Sequence, residues 1–308
     1  MAVSAAGVGP GDEVLLSAST NVATALAVYH NGAICVPVDS EEQSWNLDLN
    51  HLENMITPNT KAIIPVHLFG YPVDMDALVE IAKKHSLTVI EDAAEAHGAE
   101  CRGRKVGAWG HMACFSFYAN KLITTGEGGM VLTDSDELAD ELRGLRNLYY
   151  GKKTKLLHEK AGYNFRMTGY QAAMGLAQLP KLEGFIERKH HVVSFYADRL
   201  GDMNYLQLPG SPEWGRHVYW MYGVCLRNGS IQDRDNLMEH LRKQGVGSRT
   251  FFCPVSAQPF LTESTHMKPV HCPVAWKMWE TGLYLPSSTH LDEQDIDHVC
   301  DAVKSYFK

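Results

Sequence analysis

Apolar residues recur along this chain with two different periods, and their alternation predicts an α/β fold. Short apolar runs at 14–16, 34–38, 62–66, 87–90, 113–117 and 130–133 read as buried strands. Helical spacing covers 22–29 and 47–55, and it returns after Asp74, where Leu78, Ile81 and Ala82 share one face. Strands that alternate with helices in this way argue for a mostly parallel sheet.

The pattern changes in the second half. Asp134 with Glu137 predicts a capping-box-like start for a helix whose buried stripe is Leu138, Leu142 and Leu145. Residues 147–161 carry Tyr149, Tyr150 and lysines 152, 153, 155 and 160, and they predict an exposed loop. Helical spacing resumes over 169–200, with Ala172, Leu176, Leu179 and Leu182 expected to pack inward. Pro180 should kink or divide that helix. Beyond it, short strands near 219–226 and helices over 233–244 and 292–307 suggest a smaller α+β domain. The expected organisation is a large α/β domain over 1–180 followed by a smaller one over 181–308.

Composition narrows the function. A chain of 308 residues can build both cores. Its net charge of -8 is spread without a basic run, so the electrostatic footprint of a nucleic-acid binder is missing. Seven cysteines form no CxxC pair, which reads as reduced thiols in a cytoplasmic protein without a metal site. No apolar run approaches the roughly 18 residues of a membrane span. GxxxxGK[ST], HExxH and GxSxG are all absent, which weighs against a P-loop enzyme, a zincin and an α/β-hydrolase.

The chemistry concentrates between residues 91 and 130. The strand at 87–90 runs into Glu91-Asp92-Ala93-Ala94-Glu95-Ala96-His97, so it delivers carboxylates at its C-terminal end, where open α/β sheets place their ligand crevices. The strand at 113–117 leads through Ser116-Phe117-Tyr118-Ala119-Asn120 to Lys121, and Gly126, Gly128 and Gly129 follow. One acid and one lysine at strand ends suit pyridoxal 5'-phosphate (PLP): the lysine forms the Schiff base, and the acid keeps the pyridine nitrogen protonated. Taken singly, Lys121 reads as a surface lysine and Asp92 as a loop aspartate.

These motifs resemble the DegT-type nucleotide-sugar aminotransferases of PLP fold type I. Gly9-Pro10-Gly11-Asp12-Glu13-Val14, Ile56-Thr57-Pro58-Asn59-Thr60-Lys61, Gly162-Tyr163-Asn164-Phe165-Arg166 and Gly282-Leu283-Tyr284-Leu285-Pro286-Ser287 extend the resemblance over nearly the whole chain. It implies Lys121 as Schiff base and acid/base, Asp92 as the pyridinium partner, and Ser116 and Asn164 as phosphate contacts, with Asn164 supplied across a homodimer. Glu95 stands where most of the family has Gln, and the perosamine-synthase subgroup resembles this chain in carrying Glu. Arg166 either binds the donor carboxylate or forms a structural ion pair. His67 and His158 match subgroup positions and read as structural.

The implied reaction moves an amino group from glutamate to a nucleotide-linked 4-keto-6-deoxy sugar. Two departures bear on cofactor and substrate fit: Asn21 stands where an aromatic commonly stacks on the cofactor, and Ser256 where many relatives have His. The family's Ser/Gly/Thr phosphate turn has no counterpart here, because Ala2–Ala6 reads as the end of a helix stopped at Gly7. The contrasting expectation is therefore an N-terminally truncated homologue that is non-catalytic or binds PLP weakly.

Overall fold

The computed structural model describes every residue except 152, 153 and 155, so three lysines of the expected 147–161 loop lie outside the described residues. In chain order the first half contains α1 (Ala2–Ala5), β1 (Glu13–Ser17), α2 (Val22–Tyr29), β2 (Ile34–Val38), α3 (Leu49–Leu52), β3 (Thr60–Ile64), α4 (Met75–Lys84) and β4 (Thr88–Asp92). Next come β5 (Glu100–Cys101), β6 (Arg104–Lys105), β7 (Met112–Ser116), β8 (Gly129–Leu132), α5 (Asp136–Arg146), α6 (Gly169–Gln178) and α7 (Leu182–Leu200). The rest comprises β9 (Leu206–Gln207), β10 (Gly215–Arg216), β11 (Tyr222–Leu226), α8 (Ile231–Lys243), β12 (Arg249–Thr250), α9 (Pro259–Thr262), α10 (Pro273–Thr281), β13 (Gly282–Leu285) and α11 (Glu293–Tyr306).

The main sheet has six strands in the order β2-β1-β3-β4-β7-β8. All neighbours pair parallel except β7 with β8, which are antiparallel. Successive residues of its central strands go to different cores, which explains the unbroken apolar runs. Val14 and Leu16 pack with Ala25, Val28, Ile64 and Ile90 on one face. Leu15 packs with Val36, Ile63, Leu78 and Val89 on the other.

A second core gathers around a four-stranded sheet ordered β12-β13-β11-β9. Tyr196 and Leu200 of α7, Tyr222 and Val224 of β11, Leu237 of α8 and Ile296 of α11 fill it. The Tyr196 and Tyr222 rings stack with centroids 4.5 Å apart. The helix α7 runs between the two regions, since its Ile186 packs instead with Ala93 and Ala96 beside the main sheet. A small three-stranded sheet has the order β10-β5-β6.

Local expectations needed four corrections. The α5 cap is Ser135, one residue beyond the expected Asp134, and its hydroxyl accepts from Leu138 N. Asp74 precedes α4 without capping it, because its carboxylate accepts from Arg102 instead. Only 49–55 of the expected 47–55 helix is helical, as α3 and a 3-10 turn, since Leu47 bridges Ser40. Pro180 does divide the long helix, through a 3-10 turn over Leu179–Lys181. The inward packing expected of α6 fails, however: none of its residues is buried, and Leu176 is 69% exposed.

Candidate active site

β4 ends in two carboxylates with different surroundings. Glu91 is fully buried, and its oxygens accept from the amides of Gly107, Trp109 and Gly110, each at 2.7 Å. His67 Nε2 donates to it at 3.2 Å, because His67 Nδ1 already accepts from Val73 N. Burial alone would raise the Glu91 pKa, but the His67 bond and the backbone amides hold it below the ordinary value. Asp92 is partly exposed: Oδ2 accepts from Thr24 Oγ1 at 2.7 Å and Oδ1 from Ala94 N at 3.2 Å. It faces a cavity of about 480 Å³ that Thr24, Ala94, Gly128 and Gly129 also line.

Lys121 sits in the loop after β7. Its ammonium lies 3.6 Å from the centroid of the Trp220 ring and 3.9 Å from Glu95 Oε1, with only 10% of the side chain exposed. Trp220 is fixed in turn by its indole N–H, which donates to Asn120 O at 2.8 Å. Burial lowers the Lys121 pKa, and the charges of Glu95 and Asp92 oppose that fall. The three groups therefore share one electrostatic environment.

Glu95 reaches this place through a tight turn. Its Oε2 accepts from Phe69 N at 2.8 Å, and Phe69 O accepts from Trp220 N at 2.8 Å. Phe69 holds φ at 54°, and the next residue, Gly70, holds 91°. A Cβ on Gly70 would come within 2.6 Å of Val218, so only glycine fits there. Burial pushes the Glu95 pKa up to about 7, against the opposing pull of Lys121 and the Phe69 bond.

Ser116 closes β7 and is partly buried, its hydroxyl accepting from Tyr118 N at 3.2 Å. Beside it lies a residue the sequence reasoning left out. His97 is 4% exposed, bonds to the Ser116 backbone, and has no partner for Nε2. Burial, reinforced by Lys121, pushes its pKa down to about 4. Its signal was available in the spacing, because it follows Glu95 by two residues in the same run.

Asp92, Glu95, Ser116 and Lys121 are thus brought together, while Asn164 and Arg166 are not. Both lie exposed, with Arg166 Nε and Nη2 donating to Asn164 Oδ1 at 3.2 and 2.9 Å. Asn21 caps α2, its side chain accepting from Ala23 N. Ser256 accepts from the Trp276 indole, and His158 contacts Leu148 O. All seven cysteines are free. Among the described residues no group of acids, histidines and cysteines could hold a metal, and no helix is long and apolar enough to cross a membrane.

The residues fit PLP. A carboxylate at a strand end and a buried amine act on one another, and small side chains border the cavity beside Asp92. This donor set, on a mostly parallel sheet with a second smaller core, defines a PLP-dependent enzyme of the fold type I class. The chain belongs to the DegT/DnrJ/EryC1/StrS aminotransferase family, whose pattern matches residues 1–304.

The chain is 42% identical over 304 residues to the GDP-perosamine synthase of Caulobacter vibrioides, covering 98% of this chain and 81% of that protein. The GDP-perosamine synthase of Escherichia coli O157:H7 is 35% identical, over 100% of this chain and 82% of that one. Among solved structures, DesV of S. venezuelae superposes with a TM-score of 0.91 at 37% identity, over 99% of this chain and 81% of that chain. The PLP-form of Spr1654 from Streptococcus pneumoniae gives a TM-score of 0.91 at 25% identity, over 99% and 83%.

Proposed function

We propose that this enzyme moves an amino group from glutamate to a nucleotide-linked 4-keto-6-deoxy sugar, with a GDP sugar as the first choice, in the manner of a perosamine synthase. The observation that carries this reading is the buried Lys121–Glu95 pair beside Asp92, with an acid where most of the resembled family has an amide. Named relatives that act on GDP sugars support it. They also favour an active enzyme over a non-catalytic homologue.

Lys121 would hold the cofactor and carry a proton at Nζ; its lowered pKa makes the neutral amine easier to reach. Asp92 would face the pyridine nitrogen and stabilise its proton through a charge-assisted bond. Bound there, PLP supplies an electron sink for carbon–nitrogen chemistry. Glu95 would exchange a proton with its surroundings as Lys121 changes charge, because the two groups titrate together. Ser116 offers a neutral donor to the cofactor phosphate.

The remaining assignments need a second copy of the chain. Apolar side chains stand exposed on α6 (Tyr170, Met174, Leu176), on the edge strand β8 (Met130, Leu132) and at Phe165. An exposed surface of this kind marks an association site. It supports a homodimer in which the partner subunit's Asn164 reaches the phosphate. Arg166, with Nη1 outside its bonds to Asn164, would take the donor carboxylate. We further assign 1–180 as the cofactor-binding domain, 181–308 as the smaller domain, and a cytoplasmic location.

The test supplies the PLP-loaded protein with glutamate and a GDP-linked 4-keto-6-deoxy sugar, then measures amino sugar by mass spectrometry and 2-oxoglutarate by a coupled assay. Stoichiometric formation of both, abolished in Lys121→Ala, is the expected result. No amino sugar from GDP-, UDP- or dTDP-linked keto sugars would overturn the reading.

A further inference from the structure

The carboxylate of Asp92 is held on both of its oxygens, and the two donors come from different parts of the fold. Oδ1 accepts from the nearby Ala94 N at 3.2 Å. Oδ2 accepts at 2.7 Å from Thr24 Oγ1, which lies 68 residues earlier in the chain. The distant contact is the shorter one.

Local sequence explains how Thr24 reaches this place. Asn21 caps α2 by accepting from Ala23 N, so Val22, Ala23 and Thr24 form its first turn. Ala25 and Val28 of α2 pack with Val14, Leu16, Ile64 and Ile90. Thr24 lies one helical turn before Val28, on the same face of the helix. Asp92 follows Ile90 by two residues on β4, so both project from the same face of the sheet. Helix and strand thus bring the hydroxyl and the carboxylate together.

A threonine inside a helix commonly returns its hydroxyl to a carbonyl three or four residues back. Thr24 instead meets the side chain four residues back: Thr20 Oγ1 lies 2.9 Å away, and both threonines are buried. Counting protons fixes the direction of this bond. An ionised carboxylate only accepts, and a hydroxyl has a single proton. Thr24 donates its proton to Asp92, so Thr20 is the donor to Thr24. The chain runs one way, from Thr20 through Thr24 to Asp92, and each bond polarises the next.

Among the described residues that line the 480 Å³ cavity, Thr24 carries the one hydroxyl, while Ala23, Ala27, Ile64 and Ile90 are apolar. Packing does not demand that hydroxyl, since valine branches at Cβ in the same way. Each carboxylate oxygen can accept two bonds, so both oxygens of Asp92 keep acceptor capacity after these contacts are made.

We infer that Thr24 is a positioning residue for Asp92, with Thr20 as its support, and that this hydroxyl chain fixes the orientation in which the carboxylate meets the pyridine nitrogen. The inference rests on the assignment of Asp92 given above. Its effect is confined to the ring nitrogen, because the chain touches no other group proposed to hold the cofactor.

The test compares PLP with 1-deaza-pyridoxal 5'-phosphate, in which carbon replaces the ring nitrogen while the phosphate and the aldehyde that reacts with Lys121 remain. Affinities of both are measured by spectral titration of the full chain freed of cofactor, in wild type, Thr24→Val, Thr24→Ser and Thr20→Val, with circular dichroism verifying each fold. Thr24→Val should weaken PLP about tenfold and leave the deaza analogue within about twofold. Thr24→Ser should restore PLP binding, and Thr20→Val, which leaves the bond to Asp92 in place, should fall between wild type and Thr24→Val. Equal losses for the two cofactors in Thr24→Val, or no loss for either, overturn the positioning role while leaving the Asp92 assignment standing. Should Thr24→Val fail to fold, the same comparison in Thr20→Val decides. If wild type itself binds both cofactors equally, the assignment of Asp92 to the ring nitrogen falls, and the inference with it.

Discussion

Glu91 and Asp92 are neighbours at the end of β4, yet one carboxylate is sealed beneath the 107–110 loop and the other opens onto a cavity. Strand pleating sends consecutive side chains to opposite faces, so a single dipeptide supplies an anchor and a site residue. Glu91→Ala would leave three amides and His67 without their acceptor. It should cost about 3–5 kcal/mol in urea unfolding. Asp92→Asn should stay within about 1 kcal/mol of wild type while lowering amino transfer by at least about a hundredfold. Equal stability losses in the two variants would contradict this division of roles.

Lys121→Ala should reduce amino transfer by at least about a thousandfold. It also removes the positive charge that holds Glu95 down and pushes His97 further down. Both groups should therefore titrate at higher pH in the variant. Carbon-13 NMR of labelled Glu and His resonances measures this directly, and unmoved titrations would show that the lysine is not coupled to them.

Glu95 makes stability depend on pH in a definite direction. Its pKa rises from 4.5 to about 7 on folding, so the folded chain holds this proton more tightly than the unfolded chain. The resulting stabilisation is fully present below 4.5 and disappears as pH rises through about 7. Glu95→Gln cannot titrate there. Relative to wild type it should gain stability across that window, by on the order of 3 kcal/mol at the upper end, and the difference should be level above it. Denaturant melts at intervals from pH 4 to 8 provide the comparison, and parallel curves for the two proteins would refute the argument.

Exposed apolar side chains on α6 predict self-association. Tyr170→Glu combined with Leu176→Glu should convert a dimer to a monomer in sedimentation equilibrium. Because these side chains are 89% and 69% exposed, the far-ultraviolet spectrum of the monomer should be unchanged. A wild-type protein that sediments as a monomer would remove the basis for a shared site.

The sequence by itself determined much of the architecture. Strand and helix periods are local, so six apolar runs and their intervening helices marked out the main sheet. Asp92 and Lys121 stood out as an acid and a lysine at two strand ends, and the resemblance to the family added Glu95 and Ser116, which the fold places in the same region. Only the tertiary structure decided how they are set. Trp220 comes from far along the chain to lie over Lys121, and the Phe69 amide comes from an earlier turn to hold Glu95. His97 lost its access to water, and Lys189 became a buried cation at a cavity wall. The same distinction explains the misread α6, whose apolar spacing shows that a face is meant for contact but not what it contacts. Periodicity reports which side of an element is apolar. The neighbour that covers it, and the electrostatic environment that results, depend on contacts between residues distant in sequence, which leave no local pattern to read.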